Sequence, residues 1–162
     1  MTRSRPSERR TLDSFDRAIL RILQRDARMP QRKIAEAVNL SAAAVQRRIA
    51  AMERDGVIAR TVAIVETRAV GMTVTAIVEV HLVDERLPTV SHARALFQAA
   101  PEVQQCYYVT GGISFVLVIV SSDLIAYEET TRRLFSGNDV VASFRSLIAL
   151  DRLKTGCEIV IP

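Results

Sequence analysis

Arginine and glutamine side chains within residues 41–55 have the types and spacing that suit contact with nucleic acid. Gln46, Arg47 and Arg48 stand together in a stretch whose apolar residues recur at helical spacing. Guanidinium groups pair with guanine edges and phosphates, and amide groups pair with adenine edges. At about 100° per residue, Arg47 points away from the apolar stripe of such a helix, and Gln46 and Arg48 flank it. The pattern therefore predicts a helix with a polar outer face that carries arginine.

The small residues Ala43 and Ala50 share the outward direction of Arg47, and they would allow the backbone to approach a partner closely. For Arg48 we expect either a phosphate contact or an ion pair with an acid of its own domain. The stripe predicted to be buried is Ala42, Val45, Ile49 and Met52. The candidate DNA-contacting set is Gln31, Ser41, Ala43, Gln46, Arg47 and Arg48.

Three short helices are predicted to position these side chains. Asp13 can cap a first helix that fades near residues 25–28. A second, brief helix begins at Pro30, and Asn39 and Leu40 form the turn after it. Ser41 can cap a third helix that runs to about residue 55, where Gly56 ends it. Two helices joined by so short a turn form a helix-turn-helix, whose second helix enters a DNA groove.

The charge of the chain supports this prediction. Residues 1–60 contain 14 Lys and Arg against 7 Asp and Glu, whereas residues 61–162 contain 8 against 11. Such an uneven distribution indicates that the first third meets a polyanion, and residues 1–10 are expected to form a basic, flexible arm. The alternative is a small three-helix bundle whose arginine face is only solvated.

The remaining residues follow a different pattern. We expect a strand over residues 59–65, a bend over residues 68–71, and then the order β-α-β-β-α-β of a ferredoxin-like domain. The predicted fold class is α+β, with a helix-turn-helix domain (11–58), a strand and hinge linker (59–72), and a C-terminal domain (73–162). In the last helix, the residues predicted to face inward are Leu124, Tyr127, Thr131 and Leu134.

A four-stranded sheet with both helices on one side leaves its other face open. Depending on the register, the residues expected on that face include Ile77, Tyr107, Phe115 and Leu117. An apolar sheet face needs a partner, so self-association is expected.

Several functional classes find no support in the sequence. No apolar run reaches the ~18 residues of a membrane helix, and the basic N-terminus lacks the apolar stretch of a signal peptide. Cys106 and Cys157 form no Cys-x-x-Cys pair, which favours a reducing cytoplasm. His81 and His92 have no second ligand at metal-binding spacing, and no catalytic motif is present. We therefore expect a cytoplasmic protein that is not an enzyme and that has no metal or cofactor.

Taken together, these segments resemble the Lrp/AsnC family of transcription regulators. The stretches that carry the resemblance are LDSFDRAILRILQRDAR (12–28), LSAAAVQRRIAAMERDGVI (40–58), EVQQCYYVTGGISFVLVIV (102–120) and SLIALDRLK (146–154). The resemblance implies double-stranded DNA as a partner. It also implies dimers, often octamers, built through the second domain, termed RAM, and in many members a response to an amino acid or a related metabolite.

In this family the effector usually lies near the loop of the central hairpin. The resemblance therefore implies a candidate effector site at Tyr108, Thr110, Gly111, Gly112, Ile113 and Ser114. The family commonly has acidic residues at the positions of Gly112 and Ser114, which are neutral here. Burying an ammonium group without a counter-charge is costly, so we expect weak or no binding of simple aliphatic amino acids unless acids outside the loop, such as Glu102 or Asp123, compensate.

Three functions remain at this point. The first is a transcription regulator that responds to an effector. The second is an architectural DNA-binding protein that ignores metabolites. The third is a small ferredoxin-like enzyme with a helical appendage, for which no catalytic constellation is present.

Overall fold

The computed structural model describes residues 11–162, so the predicted arm over residues 1–10 lies outside the described part. These residues form two compact units. The first contains residues 11–63 together with Lys154–Pro162, and the second is Ile64–Leu153. Within residues 11–162, no helix combines the length and the apolar character that crossing a membrane requires.

The first unit contains the three predicted helices, α1 (Ser14–Leu23), α2 (Gln31–Val38) and α3 (Ala42–Arg54). Asp13 caps α1 by accepting a hydrogen bond from the backbone N–H of Asp16, and Ser41 caps α3 by accepting one from Ala44. Asn39 has a positive φ of 55° and ends α2, which allows the sharp turn into α3. The buried core of this unit is Ile19, Ile34, Ala35, Val38, Val45 and Met52.

Two details of the helical prediction are wrong. Ala42 is exposed rather than buried, because it is the first residue of α3 and precedes the turn at which Val45 enters the core. The second helix begins at Gln31, and Pro30 remains outside it with an extended ψ of 135°. Neither difference moves the outer face of α3.

The strand predicted over residues 59–65 is absent. This segment belongs to neither a helix nor a strand, and Val62, Ile64 and Val65 are exposed. A strand requires a neighbour for its backbone N–H and C=O groups, and no strand within residues 11–162 pairs with this segment. The predicted bend follows as a 3₁₀ turn over Arg68–Val70, which Gly71 ends with a positive φ of 79°.

The second unit has the predicted order of elements. These are β1 (Val74–Leu82), α4 (Leu87–Ala99), β2 (Val103–Tyr108), β3 (Phe115–Ser121), α5 (Leu124–Thr131), which continues as a π-helical turn over Arg132–Ser136, and β4 (Val141–Ile148). The strands form one antiparallel sheet in the order β2-β3-β1-β4. This is the expected ferredoxin-like arrangement.

The core of the second unit lies between the helices and one face of the sheet. Phe97 of α4 packs edge-on against both Phe115 and Phe135, with ring centroids 5.3 and 5.9 Å apart. Leu124 is exposed, contrary to the prediction, because the first turn of α5 extends past this core. Tyr127, Thr131 and Leu134 are buried as predicted.

The opposite face of the sheet is open. Ile77 lies between Val118 of β3 and Leu147 of β4, and both Ile77 and Leu147 are exposed. Phe115 and Leu117 do not lie on this face. They alternate with Val116 and Val118, and the register places them on the helix-covered side, where they are almost fully buried.

The C-terminal residues Lys154–Pro162 pack with the helical unit and not with the sheet. The guanidinium of Arg21 donates hydrogen bonds to the carbonyl oxygens of Ile161 and Pro162, and Arg17 donates one to Pro162. Gln24 exchanges two hydrogen bonds with the backbone of Ile159. The expected C-terminal domain of residues 73–162 therefore differs from the compact unit at both of its ends.

Candidate functional site

The outer face of α3 carries the side chains predicted to contact DNA. Ala43, Gln46, Arg47 and Ala50 are all exposed, in agreement with the predicted helical angles. Ser41 is exposed at the beginning of α3, and Gln31 is exposed at the beginning of α2. The two helix N-termini and the Arg47 face thus belong to one helix-turn-helix, and they offer amide and guanidinium donors to an anion.

Arg48 has an acidic partner within its own domain, which was one of the two expected possibilities. Its Nη1 donates to Asp13 Oδ2 at 2.7 Å and to Asp16 Oδ1 at 2.8 Å. The guanidinium carbon also lies 5.4 Å from the centroid of the Phe15 ring. Arg48 therefore fixes the middle of α3 to the first turn of α1, and so sets the angle at which the Arg47 face is presented.

The protonation equilibria of this cluster reflect the same contacts. The backbone N–H of Asp16 and the nearby Arg48 guanidinium lower the pKa of Asp13 below its ordinary value. Hydrogen bonds from Arg48, first to Asp16 and then to Asp13, raise the pKa of the guanidinium. Asp13 and Arg48 are therefore both charged at neutral pH.

The candidate effector loop joins β2 to β3. Gly111 and Gly112 have positive φ angles of 108° and 94°, which side chains with a Cβ rarely adopt. The backbone N–H of Val109 donates to the carbonyl of Ser114 at 3.0 Å and closes the loop. Thr110, Gly111 and Gly112 are exposed, Ile113 is half-buried and Ser114 is buried. Exposed glycines leave backbone groups accessible to a ligand.

Glu85, which precedes α4, supplies a carboxylate to this loop. Its Oε1 accepts a hydrogen bond of 2.5 Å from the Ser114 hydroxyl, and its Oε2 accepts one of 2.8 Å from the Tyr108 phenol. The Ser114 hydroxyl oxygen also accepts a hydrogen bond from the backbone N–H of Leu82. The loop itself contains no acidic residue, but the carboxylate of Glu85 lies beside it.

A cation lies close to the ring of Tyr108. The guanidinium carbon of Arg94, on α4, is 5.8 Å from the centroid of the Tyr108 ring. The hydrogen bond to Glu85 is the main reason that the pKa of the Tyr108 phenol is raised above its ordinary value, and Arg94 acts in the opposite direction. The loop is thus flanked by one carboxylate and one guanidinium.

The sequence reasoning missed Glu85 and Arg94, although the topology contained a signal for Glu85. β1 and β3 are antiparallel, with Val80 opposite Phe115, so the residues that follow β1 lie beside those that precede β3.

The two acids that the sequence analysis named as possible substitutes do not lie at the loop. Asp123 caps α5 by accepting from the N–H of Ala126, and Glu102 forms an ion pair with Arg133 near the opposite end of β3. Residues 11–162 contain no group of three His, Cys, Asp or Glu side chains that could hold a metal ion.

Comparison with known families assigns both units. Residues 12–53 match the AsnC-type helix-turn-helix domain. Residues 75–159 match the Lrp/AsnC ligand binding domain. The two matches cover the DNA-contacting candidates and the Gly111–Gly112 loop respectively.

Relatives and solved structures agree with these matches. The chain is 38% identical over 143 residues to an HTH-type transcriptional regulator, y4tD, of Sinorhizobium fredii, which covers 88% of this chain and 85% of that protein. It is 33% identical to the proline dehydrogenase transcriptional activator of Rhodobacter capsulatus, over 86% of this chain and 91% of that one. The crystal structure of an AsnC family transcriptional regulator from Agrobacterium tumefaciens superposes with a TM-score of 0.86 at 30% identity, over 92% of this chain and 97% of the other. The chain described here belongs to the Lrp/AsnC family of transcriptional regulators.

Proposed function

We propose that this regulator reads double-stranded DNA through Gln46 and Arg47, with Ala43 allowing close approach and with Gln31 and Ser41 contacting the backbone. The observation that supports this assignment is that two neighbouring arginines have different surroundings. Arg48 is held by Asp13 and Asp16, whereas Arg47 is exposed on the outer face of α3. Arg48 acts in this scheme by positioning α3 and not by touching bases.

Substitution of Arg47 tests the reading role. If Arg47 makes a bidentate contact with guanine, Arg47→Ala weakens binding to the specific operator by roughly 1–3 kcal/mol more than binding to random DNA. Electrophoretic mobility shifts on both DNAs measure the difference. Arg32→Ala is the matched control, because Arg32 is an exposed arginine of α2 that pairs with Glu36. Equal losses on both DNAs for Arg47→Ala would assign it to a phosphate and overturn the base-reading role.

The second unit is proposed to bind an amino acid or a related zwitterion at the Gly111–Gly112 loop. Glu85 can accept hydrogen bonds from an ammonium group, and Arg94 with the glycine N–H groups can donate to a carboxylate. Tyr108, with Thr110, Ile113 and Ser114, completes the loop side of the site. Weak binding of simple amino acids was expected because the loop has no acidic residue to pair with an ammonium group. Glu85 supplies that negative charge, so we no longer expect the binding to be weak.

Calorimetric titration of the full chain with the common amino acids tests this site. At least one amino acid is expected to bind saturably and to change the affinity for operator DNA. Glu85→Gln should weaken that binding about ten- to a hundred-fold, because a charge-assisted hydrogen bond is lost. Glu79→Gln is a useful control, since Glu79 pairs with Arg145 on the open sheet face and not at the loop. Unaltered affinity in Glu85→Gln would remove Glu85 from the site.

Self-association is proposed to occur through the open face of the sheet. Ile77, Tyr107 and Leu147 leave a large part of their apolar surface exposed there. Packing two such faces together would remove this surface from water and would generate a symmetric dimer, from which larger assemblies such as octamers can form.

An architectural role without an effector is the less favoured alternative. The relatives found by comparison are named as transcriptional regulators, and the C-terminal match is to a ligand binding domain. DNA binding that no amino acid alters in the titrations above would be the result in favour of that alternative.

A further inference from the structure

One side of α1 bears a row of three arginines, Arg17, Arg21 and Arg25 (the arginine row). They recur at every fourth position, so at about 100° per residue they lie within about 80° of one another around the helix axis. α1 itself ends before Arg25, but the backbone N–H of Asp26 still donates to the carbonyl of Ile22, which continues the helical turn past Arg25. The row therefore forms one continuous basic stripe on the helical unit.

The arginine row has no acidic partner within residues 11–162. Other arginines of the helical unit form ion pairs with carboxylates: Arg32 with Glu36, Arg48 with Asp13 and Asp16, and Arg54 with Asp55. Asp26, the acid next to the row in the sequence, accepts a hydrogen bond from the backbone N–H of Arg28. The positive charge of the row is therefore available to an anion from outside this part of the chain.

Residues 159–162 (the covering segment) lie over the first two arginines of the row. The guanidinium groups of Arg17 and Arg21 donate to backbone oxygens of this segment at 3.1–3.2 Å. The Gln24 side chain makes two more hydrogen bonds with its backbone, one as a donor and one as an acceptor. Arg25 is exposed, and within residues 11–162 no hydrogen bond joins its side chain to the covering segment.

The covering segment is held by its backbone more than by burial of its side chains. Ile159 and Val160 are 72% and 94% exposed, and Ile161 is half-buried. Each of these hydrogen bonds contributes a small net free energy, because water can replace it. A phosphate oxygen forms a stronger, charge-assisted hydrogen bond with a guanidinium group than a carbonyl oxygen does. A polyanion can therefore displace the covering segment.

We propose that the arginine row binds phosphate groups of double-stranded DNA, and that the covering segment competes with DNA for Arg17 and Arg21. The row is a second DNA-binding surface, on α1, and it acts on DNA of any sequence because phosphate contacts read no bases. In the free protein the covering segment lowers the affinity for DNA. The proposal rests on DNA binding by the helix-turn-helix domain and not on the base-reading role of Arg47.

The salt dependence of binding to a random-sequence duplex tests the arginine row, with fluorescence anisotropy of the full chain as the measurement. Each phosphate contact contributes about 0.9 to the slope of log K against log salt concentration. Arg25→Gln should therefore reduce the slope by about 0.9 and leave the covering segment in place. Arg132→Gln is the matched control, because it removes the same charge from the sheet unit, and its slope should not change. An unchanged slope in Arg25→Gln would overturn the proposal.

A second variant tests the competition. Gln24→Ala removes the two hydrogen bonds to Ile159 without changing the charge, and it should strengthen binding to the random duplex about three- to tenfold. Gln98→Ala, which truncates an exposed glutamine of α4, is the matched control and should bind as the unaltered chain does. Thermal unfolding followed by circular dichroism checks that each variant is folded.

The arginines that the segment covers provide the last comparison. In a protein with Arg17→Gln and Arg21→Gln, the further change Gln24→Ala should leave DNA binding unaltered, because no guanidinium group remains to be uncovered. If the covering segment only braces α1, Gln24→Ala weakens DNA binding or does not affect it in either protein. Either of these results, or an equal gain with and without the two arginines, would overturn the competition.

Discussion

The hydroxyl group of Ser114 donates a hydrogen bond of 2.5 Å to the carboxylate of Glu85, which precedes it by 29 positions. This bond joins the loop after β1 to the loop before β3, and the Tyr108 phenol donates to the other oxygen of the same carboxylate. An acid that the glycine loop lacks in sequence is thus present beside it in space. The ionisation of Tyr108 therefore reports whether the Glu85 carboxylate lies at this site.

The first prediction concerns ionisation of Tyr108. Donation to Glu85 raises the pKa of this phenol above its ordinary value of 10.0, because a phenolate would stand beside a carboxylate. Glu85→Gln removes the negative charge and should lower the pKa of Tyr108 toward about 10. Absorbance at 295 nm reports the titration, in a background of Tyr107→Phe and Tyr127→Phe that leaves Tyr108 as the one tyrosine.

The sign of the effect on stability follows from the same shift. Since the folded pKa exceeds the unfolded one, the contribution of Tyr108 is complete below pH 10 and is lost as the pH rises through the folded pKa. Glu85→Gln should therefore reduce the alkaline destabilisation in that window. An unchanged titration midpoint after the substitution would show that the carboxylate does not control this tyrosine.

The second prediction separates the two arginines of α3 by stability. Arg48→Ala removes the guanidinium from Asp16, whose side chain is only 2% exposed, and should lower the free energy of unfolding of the helical unit by about 1.5–3 kcal/mol, the range for a hydrogen bond to a charged group. Arg47→Ala is the matched control, and it should change stability by less than about 0.5 kcal/mol because Arg47 is exposed. Urea unfolding of the full chain followed by helical circular dichroism measures both. Equal losses would contradict the positioning role of Arg48.

The third prediction concerns acid. The hydrogen bond from the N–H of Asp16 and the nearby Arg48 lower the pKa of Asp13. Its contribution to stability is therefore present above the unfolded pKa of about 3.9 and is lost as the pH falls through the lower folded value. Asp13→Asn, which keeps a capping side chain, should make the thermal midpoint of the helical unit fall less steeply between pH 4 and pH 2. Parallel pH profiles for the two proteins would refute this.

The fourth prediction concerns assembly. Ile77→Lys places a charge at the centre of the open sheet face, between Val118 and Leu147, and burying it in an interface is costly. Sedimentation velocity should show a shift from dimer toward monomer at micromolar concentration. Ile125→Lys introduces the same charge on the exposed side of α5 and should leave the mass unchanged. A dimer that persists in Ile77→Lys would place the interface elsewhere.

Features that depend only on residues close together in the sequence were predicted correctly. Asp13 and Ser41 cap the helices that they were expected to cap, because an unpaired N–H group lies within reach of each side chain. In β1, apolar residues at every second position lie in the core, as Ala76, Val78 and Val80 show, because successive side chains of a strand point to opposite faces. The outward direction of Arg47 followed from helix geometry alone.

Features that depend on distant pairing could not be predicted in the same way. Residues 59–65 have the composition of a strand, but a strand forms only where a neighbour accepts its hydrogen bonds. Phe115 and Leu117 were assigned to the wrong face because the sheet register was undetermined, and a shift of one residue exchanges the two faces. Glu85 was missed because its relation to Ser114 exists only once β1 and β3 are paired.

Because Lys154–Pro162 pack with the helical unit, this unit is built from two separate stretches of the polypeptide. The sheet unit is therefore inserted between Ala63 and Lys154, and the chain enters it before the helical unit is complete. A protein made from the first 63 residues would lack the backbone carbonyls that accept from Arg17 and Arg21. Isolating the DNA-reading half intact therefore requires joining the two stretches with a linker, or using the whole chain.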